Sequence, residues 1–217
     1  MLIALTGADS IGKSTVSKLL AGEADSHGRI MHVLDRWDIC NTHEYPQGRF
    51  IRIPLPELKQ CVAEMRGPSR LVFILWTVYS VIESYDPESP TITLIDSYWM
   101  KHAAAEIAYG LPEEFVLGLV SMLPKPDLTI LMDLPPEIAF QRKENSGFSD
   151  LNYYECGMDK TLSRDSFISH QSKIRAQLAY WSQQNDWHHI DASGKPHEVA
   201  DAISKLALNY FTMSRKN

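Results

Sequence analysis

Gly7-Ala8-Asp9-Ser10-Ile11-Gly12-Lys13-Ser14-Thr15 satisfies the pattern G-x-x-x-x-G-K-[ST] at every specified position. Before it runs Leu2-Ile3-Ala4-Leu5-Thr6, short and apolar as a buried parallel strand should be. After it Val16-Ser17-Lys18-Leu19-Leu20-Ala21 can continue as a helix. Strand, glycine loop and helix in that order turn a text pattern into a mechanism. Gly7 and Gly12 permit backbone angles and a close approach that a side chain would block. The intervening N–H groups then form a concave nest for anions, reinforced by the positive end of the helix. Lys13 is placed to reach β- and γ-phosphates, and Ser14 to offer its hydroxyl to Mg²⁺. All nine residues, Gly7 through Thr15, form the candidate nucleotide-binding loop, with ATP and Mg²⁺ as the expected cofactors.

Working outward, Ile30-Met31-His32-Val33-Leu34 reads as a second strand running into Asp35-Arg36-Trp37-Asp38. Ligands of open α/β sheets gather at the carboxyl ends of strands, so this charged cluster sits where a substrate would. Residues 41–56 carry three prolines and a glycine and read as loop, and 57–66 as a helix closed by Gly67-Pro68. Residues 69–84 form a strongly apolar helix, with Leu71, Leu75, Val78 and Ile82 on its core face. Thr91-Ile92-Thr93-Leu94-Ile95 is a third strand ending at Asp96, a carboxylate able to hold Mg²⁺ opposite Ser14. The helix over 97–109 carries Lys101, His102 and Glu106, and 112–123 is another helix. Leu128-Thr129-Ile130-Leu131-Met132 is a fourth strand ending at Asp133, followed by a helix from Pro135-Pro136 to Arg142-Lys143. Residues 144–164 are polar and aperiodic and read as a lid, flanked by Arg142, Lys143 and Arg164. A helix over 165–185 with Phe167, Ile174, Leu178 and Trp181 on one side leads to the strand Trp187-His188-His189-Ile190 and Asp191. A last helix over 198–211 turns Val199, Ile203, Leu206 and Tyr210 inward. Alternating helices and five short strands predict a three-layer, doubly wound parallel α/β sheet, one domain over 1–217.

The composition agrees with that class. The chain has 217 residues, 44% hydrophobic and 22% charged, enough to bury a substantial core. A formal net charge of −6 argues against a broad nucleic-acid or anionic-membrane surface. Cys40, Cys61 and Cys156 imply no disulfide framework and are expected as thiols in a reducing cytosol. Cys40-x-x-His43 has no second pair to complete a zinc site. The chain enters its first strand without a basic leader, and the apolar run 71–81 is too short to span a bilayer, so a cytoplasmic location is expected.

Taken together, several segments resemble the thymidylate kinase family of nucleoside-monophosphate kinases. That family has an acidic residue third in its glycine loop, as Asp9 is here. Its arginine after the second strand is similar to Arg36. Its P-D-L-T strand with a following aspartate, proline and arginine resembles Pro126-Asp127-Leu128-Thr129, Asp133, Pro135-Pro136 and Arg142, and its closing I-D-A is present as Ile190-Asp191-Ala192. The similarity runs through most of the chain and is weakest in the middle. It implies that Asp9 contacts a deoxynucleotide hydroxyl, that Arg36 meets the acceptor's anionic group, and that the protein is a homodimer packed through helices. The acceptor half departs from the family. The D-R-Y/F after the third strand reads Asp96-Ser97-Tyr98, and an arginine expected on the preceding helix falls near Thr77, so two phosphate-contacting arginines are gone. The family's A-Y-Q becomes Ala104-Ala105-Glu106, or slips one turn to Ala108-Tyr109-Gly110. Lys101 or His102 is placed to substitute.

These readings imply an ATP-dependent phosphotransferase acting on a small-molecule nucleotide or nucleoside. Lys13, Asp96, Arg142 and Arg164 are the candidate catalytic residues, and Ser14 with Asp96 the candidate Mg²⁺ ligands. Asp9, Arg36, Asp96, Tyr98, Lys101 and Glu106 are the candidate acceptor contacts. A monophosphate acceptor needs no strong base, whereas a hydroxyl acceptor would use Asp9, Asp35 or Asp96 to take a proton. A non-catalytic nucleotide-binding module is the reading from another class.

Overall fold

A computed structural model of the chain describes residues 1–22, 31–145, 151–157 and 162–214. Five strands, β1 (Leu2–Thr6), β2 (His32–Asp35), β3 (Thr93–Asp96), β4 (Leu128–Asp133) and β5 (His188–Asp191), form one sheet in the order β2-β3-β1-β4-β5. Every pairing is parallel. All five residues of β1 are buried, as the central strand of a sheet covered on both faces must be. The second strand begins two residues later than the sequence suggested and takes in Asp35, while Ile30 lies outside the described residues.

The helices are α1 (Lys13–Gly22), α2 (Leu55–Glu64), α3 (Pro68–Ile82), α4 (Trp99–Ala108), α5 (Glu113–Val120), α6 (Pro136–Asn145), α7 (Tyr153–Cys156), α8 (Arg164–Gln184) and α9 (Pro196–Ser214). They pack in two groups, α1 with α9, and α3, α4, α8 and α6 in succession, flanking the sheet as a three-layer α/β fold. Phe167, Ile174, Leu178 and Trp181 of α8 and Leu71, Leu75, Val78 and Ile82 of α3 are all buried. On α9 the inward stripe is Val199, Ile203, Ala207 and Phe211, whereas Leu206 and Tyr210 are only half-buried. The expected loop over 41–56 contains a 3₁₀ turn at Pro46–Phe50, and a second at Arg36–Cys40 precedes it. Of the expected lid, 146–150 and 158–161 lie outside the described residues, and α7 is a short helix between them.

The register determines where chemistry can gather. Leu5 of β1 pairs with Asp96, Asp35 pairs with Asp96, and Asp133 pairs with Asp191. The strand ends are therefore level, and the glycine loop leaves β1 between the carboxylates of its neighbours.

Candidate active site

The glycine loop closes tightly around its own backbone. Gly7 has φ +149°, and a Cβ there would stand 2.5 Å from the Met132 carbonyl oxygen of β4. Only glycine allows the loop to cross that strand end. Lys13, 7% exposed, donates to the Ala8 carbonyl at 2.6 Å across the loop. Ser14 Oγ donates to Asp96 Oδ2 at 2.8 Å, so the two expected Mg²⁺ ligands share one edge. Among the described residues no group of three His, Cys, Asp or Glu side chains could hold a metal. Mg²⁺ beside a polyphosphate needs no such cage, since it takes one or two protein ligands and fills the rest with phosphate oxygens and water. One serine and one carboxylate at contact distance fit that demand.

The loop opens into a cleft of about 670 Å³. Asp35 ends β2 and caps the turn that follows, accepting from the Trp37 N–H at 2.8 Å, while Asp38 returns a bond to the Asp35 N–H at 2.8 Å. This capping box aims Arg36 into the cleft, its guanidinium 3.7 Å above the Trp37 ring. Arg36 is 8% exposed and its buried Nη1 has no hydrogen-bond partner. Lys101, from α4, pairs with Asp9 Oδ1 at 2.6 Å. Burial alone would raise the Asp9 carboxyl, but Lys101 and Lys13 hold it below the usual carboxylate range. His102 lies beside them, pushed far down by burial and by the Arg36, Lys101 and Lys13 charges, so it is neutral. Of the two residues expected to substitute on α4, Lys101 is held by Asp9 and His102 by Tyr154.

Other candidates stand elsewhere. Tyr98 is fully buried, its hydroxyl donating to the Pro124 carbonyl. Glu106 faces α3, not the cleft, and forms a sealed pair with Arg70 at 2.5 and 2.9 Å. Thr77 is buried and donates to the Ile74 carbonyl. Arg142 lines the cleft, but its guanidinium is bound to the carbonyls of Ala192, Ser193 and Gly194. Arg164 is largely exposed and stands 3.9 Å from Asp165, away from the residues that line the cleft.

Four side chains that the sequence did not single out hold cleft residues, or one another, from outside the lining. Gln171, fully buried on α8, accepts from the Asp9 N–H at 2.8 Å and donates to the Glu155 carbonyl at 2.9 Å. Tyr154 of α7 meets His102 Nδ1 at 2.9 Å. Glu155 holds Lys143 at 2.7 Å. Asn152-x-x-Glu155 is a capping box, the one local signal by which α7 was detectable.

No family model matches the chain. Relatives do. It is 26% identical over 209 residues to the probable thymidylate kinase 1 of Saccharolobus solfataricus, covering 94% of this chain and 95% of that protein. It is 26% identical over 212 residues to the probable thymidylate kinase of Pyrobaculum aerophilum, 94% of each chain. Against the thymidylate kinase of Xylella fastidiosa it is 25% identical over 179 residues, 78% of this chain and 77% of that protein. Over most of its length the chain is similar to thymidylate kinases. In this chain the glycine loop, Asp9 and Arg36 line one cleft, while Arg70 of α3 and Glu106 of α4 pair with each other outside that lining.

Lys13 supplies a pH test of the loop. Burial drives its ammonium down to about 8, against the pull of Asp9 and then Asp96, with Lys101 adding to the depression. A polyphosphate beside it favours the charged form, so binding should take up about three quarters of a proton near pH 8.5 and almost none at pH 6.5. Nucleotide affinity should weaken as pH rises above about 8. Calorimetry in two buffers of different ionisation enthalpy measures the uptake, and a buffer-independent enthalpy at pH 8.5 would count against it.

Proposed function

We propose that the protein is an ATP-dependent nucleotide kinase of the thymidylate kinase-like type, transferring a phosphoryl group to a deoxynucleoside monophosphate. The observation that carries this reading is Arg36: a buried guanidinium with an unpartnered Nη1, facing a cleft that also holds Lys13, Ser14 and Asp96. A buried, unpaired donor costs about 1–3 kcal/mol, a cost that an anionic acceptor would remove. When bound, MgATP supplies the γ-phosphoryl group and a divalent charge on its oxygens. Lys13 and the loop N–H groups orient the donor phosphates, Ser14 and Asp96 hold the metal's protein side, and Arg36 with Lys101 positions the acceptor. An ionised phosphate needs no general base, so no proton need move.

A hydroxyl acceptor is the second reading, favoured by Asp35. Burial first, and then Asp96, raise its carboxyl in the same cleft, which suits a base. A screen for ADP release across nucleoside monophosphates, nucleosides and unrelated alcohols decides between them. The greatest turnover with a monophosphate is the expected result. Turnover confined to nucleosides or alcohols selects the second reading, and nucleotide binding without acceptor-dependent ADP leaves a regulatory module.

The homodimer belongs to the same proposal. Phe50 is 62% and Val72 52% exposed, and the Phe50 ring lies 5.1 Å from Trp76, which packs 6.0 Å from Phe73. Exposed Phe50 of the 3₁₀ turn and Val72 of α3, beside half-buried Phe73 and Trp76, form an apolar face that suits pairing with a second copy. Val72→Glu should convert a dimer to a monomer in sedimentation at micromolar concentration. A wild-type chain that already sediments as a monomer rules the dimer out.

A further inference from the structure

Phosphoryl transfer places negative charge on the equatorial oxygens of the moving group, and enzymes of this chemistry meet it with a positioned cation. The sequence offered Arg142 and Arg164 for that task. Arg142 is committed to three carbonyls of the turn after β5, and Arg164 stands outside the cleft. Between Lys143 and Arg164 the sequence contains one further cation, Lys160, which lies outside the described residues.

Lys143 is differently placed. Residues adjacent on a helix diverge by about 100°, so Arg142 and Lys143 in the last turn of α6 face different targets. The Lys143 side chain is 11% exposed, lines the glycine-loop cleft, and donates to Glu155 Oε1 and Oε2 at 2.8 and 2.7 Å. Glu155 Oε1 also accepts from Ser10 Oγ of the loop at 3.5 Å. One carboxylate thus ties the ammonium to the rim of the phosphate loop. Glu155 is itself oriented by Asn152 Nδ2 at 2.9 Å, and its backbone carbonyl by Gln171.

The geometry points to Lys143 as the catalytic cation of the transfer and to Glu155 as the residue that positions it. The inference rests on the kinase reading above. In the transfer an acceptor oxygen forms a bond to the γ-phosphorus as the bond to the β–γ bridging oxygen breaks, and the electron pair leaves on ADP. Lys143 exchanges Glu155 for the equatorial oxygens and neutralises them; it neither gains nor loses a proton.

The test compares Lys143→Ala, Lys143→Arg and Glu155→Gln in the full chain. It reads kcat and KM with the best acceptor and, by calorimetry, the ratio of ATP to ADP affinity. Lys143→Ala should lower kcat roughly 100-fold with acceptor KM within about threefold, and lower the ATP:ADP ratio roughly tenfold, because only the γ-phosphate loses a partner. Lys143→Arg should recover most of both. Glu155→Gln should lower kcat roughly tenfold and the ATP:ADP ratio about threefold, because Lys143 is no longer held at the loop rim, whereas a purely structural role would lower the melting temperature and leave the ratio alone. Should Lys143→Ala misfold around an unpaired Glu155, the double variant K143A/E155Q removes both charges and is read in the same way. A Lys143→Ala kcat within about threefold of wild type overturns the assignment while the kinase reading stands. If the wild type transfers to no acceptor, the kinase reading fails and the catalytic role of Lys143 falls with it, whatever the affinity ratio. An unchanged ratio in Glu155→Gln overturns the positioning role.

Discussion

Replacing Lys13 with methionine should lower kcat/KM by about 10²–10³-fold or more while leaving the fold intact. The ammonium is the one loop side chain placed for the β/γ-phosphates, and nothing else in the loop carries a positive charge. Methionine keeps the length and volume of the side chain, so the loss isolates the charge. Stability should not fall with it. Burial has driven Lys13 down to about 8 from 10.5, so carrying the charge in the folded state is costly below that range. The unfolded chain binds the extra proton between about pH 8 and 10.5, hence the wild-type contribution improves as pH rises through that window. The variant's melting temperature should therefore match or exceed wild type below pH 8, with the advantage gone by about 10.5. Asp9 keeps Lys101 at 2.6 Å and is not left unpaired. Wild-type turnover in the variant would take the glycine loop out of the reaction.

The second large effect should come from Arg36→Ala, and it should depend on the acceptor. With a monophosphate, losing a desolvated charge contact should cost about 2–4 kcal/mol, close to 30- to 900-fold in kcat/KM. With a neutral hydroxyl acceptor the change should stay within a few-fold. The guanidinium is prepared for this contact. Trp37 holds its face, the Asp35–Asp38 capping box holds its backbone, and Nη1 is buried without a hydrogen-bond partner. Measuring kcat/KM for the best monophosphate and the best nucleoside with this variant reads both predictions together. Unchanged monophosphate kinetics would falsify the monophosphate assignment and favour hydroxyl transfer.

Much of the glycine-loop side of the cleft was legible from local sequence. The loop from Gly7 to Thr15 works through consecutive backbone N–H groups and adjacent side chains, so its geometry is contained in one short stretch. Asp96 was readable because an apolar run ending in an acid announces a strand end, and the parallel register then sets it at 2.8 Å from Ser14. Arg36 was readable for the same reason, one residue past β2. The packing between α3 and α4 was not. Glu106 carries the same carboxylate whether it faces a cleft or a helix, and only the packing of α3 against α4 commits it to Arg70. Tyr98 similarly looks like a site tyrosine in sequence and is a core residue in space.

The sequence by itself determined the class of the fold, its five parallel strands, the phosphate loop and the carboxylates at the strand ends. These follow from apolar runs, glycine positions and the period of each element, which are local properties of the chain. The tertiary structure decided which cations serve the cleft. Arg142 and Lys143 are neighbours in sequence, yet one is bound by the turn after β5 and the other is held beside the glycine loop by Glu155. Gln171 reaches Asp9 across 162 positions of sequence. Such partners are chosen by the docking of α6, α7 and α8 over the sheet. No local pattern encodes that docking, because a charged side chain has the same composition whichever partner the packing brings to it.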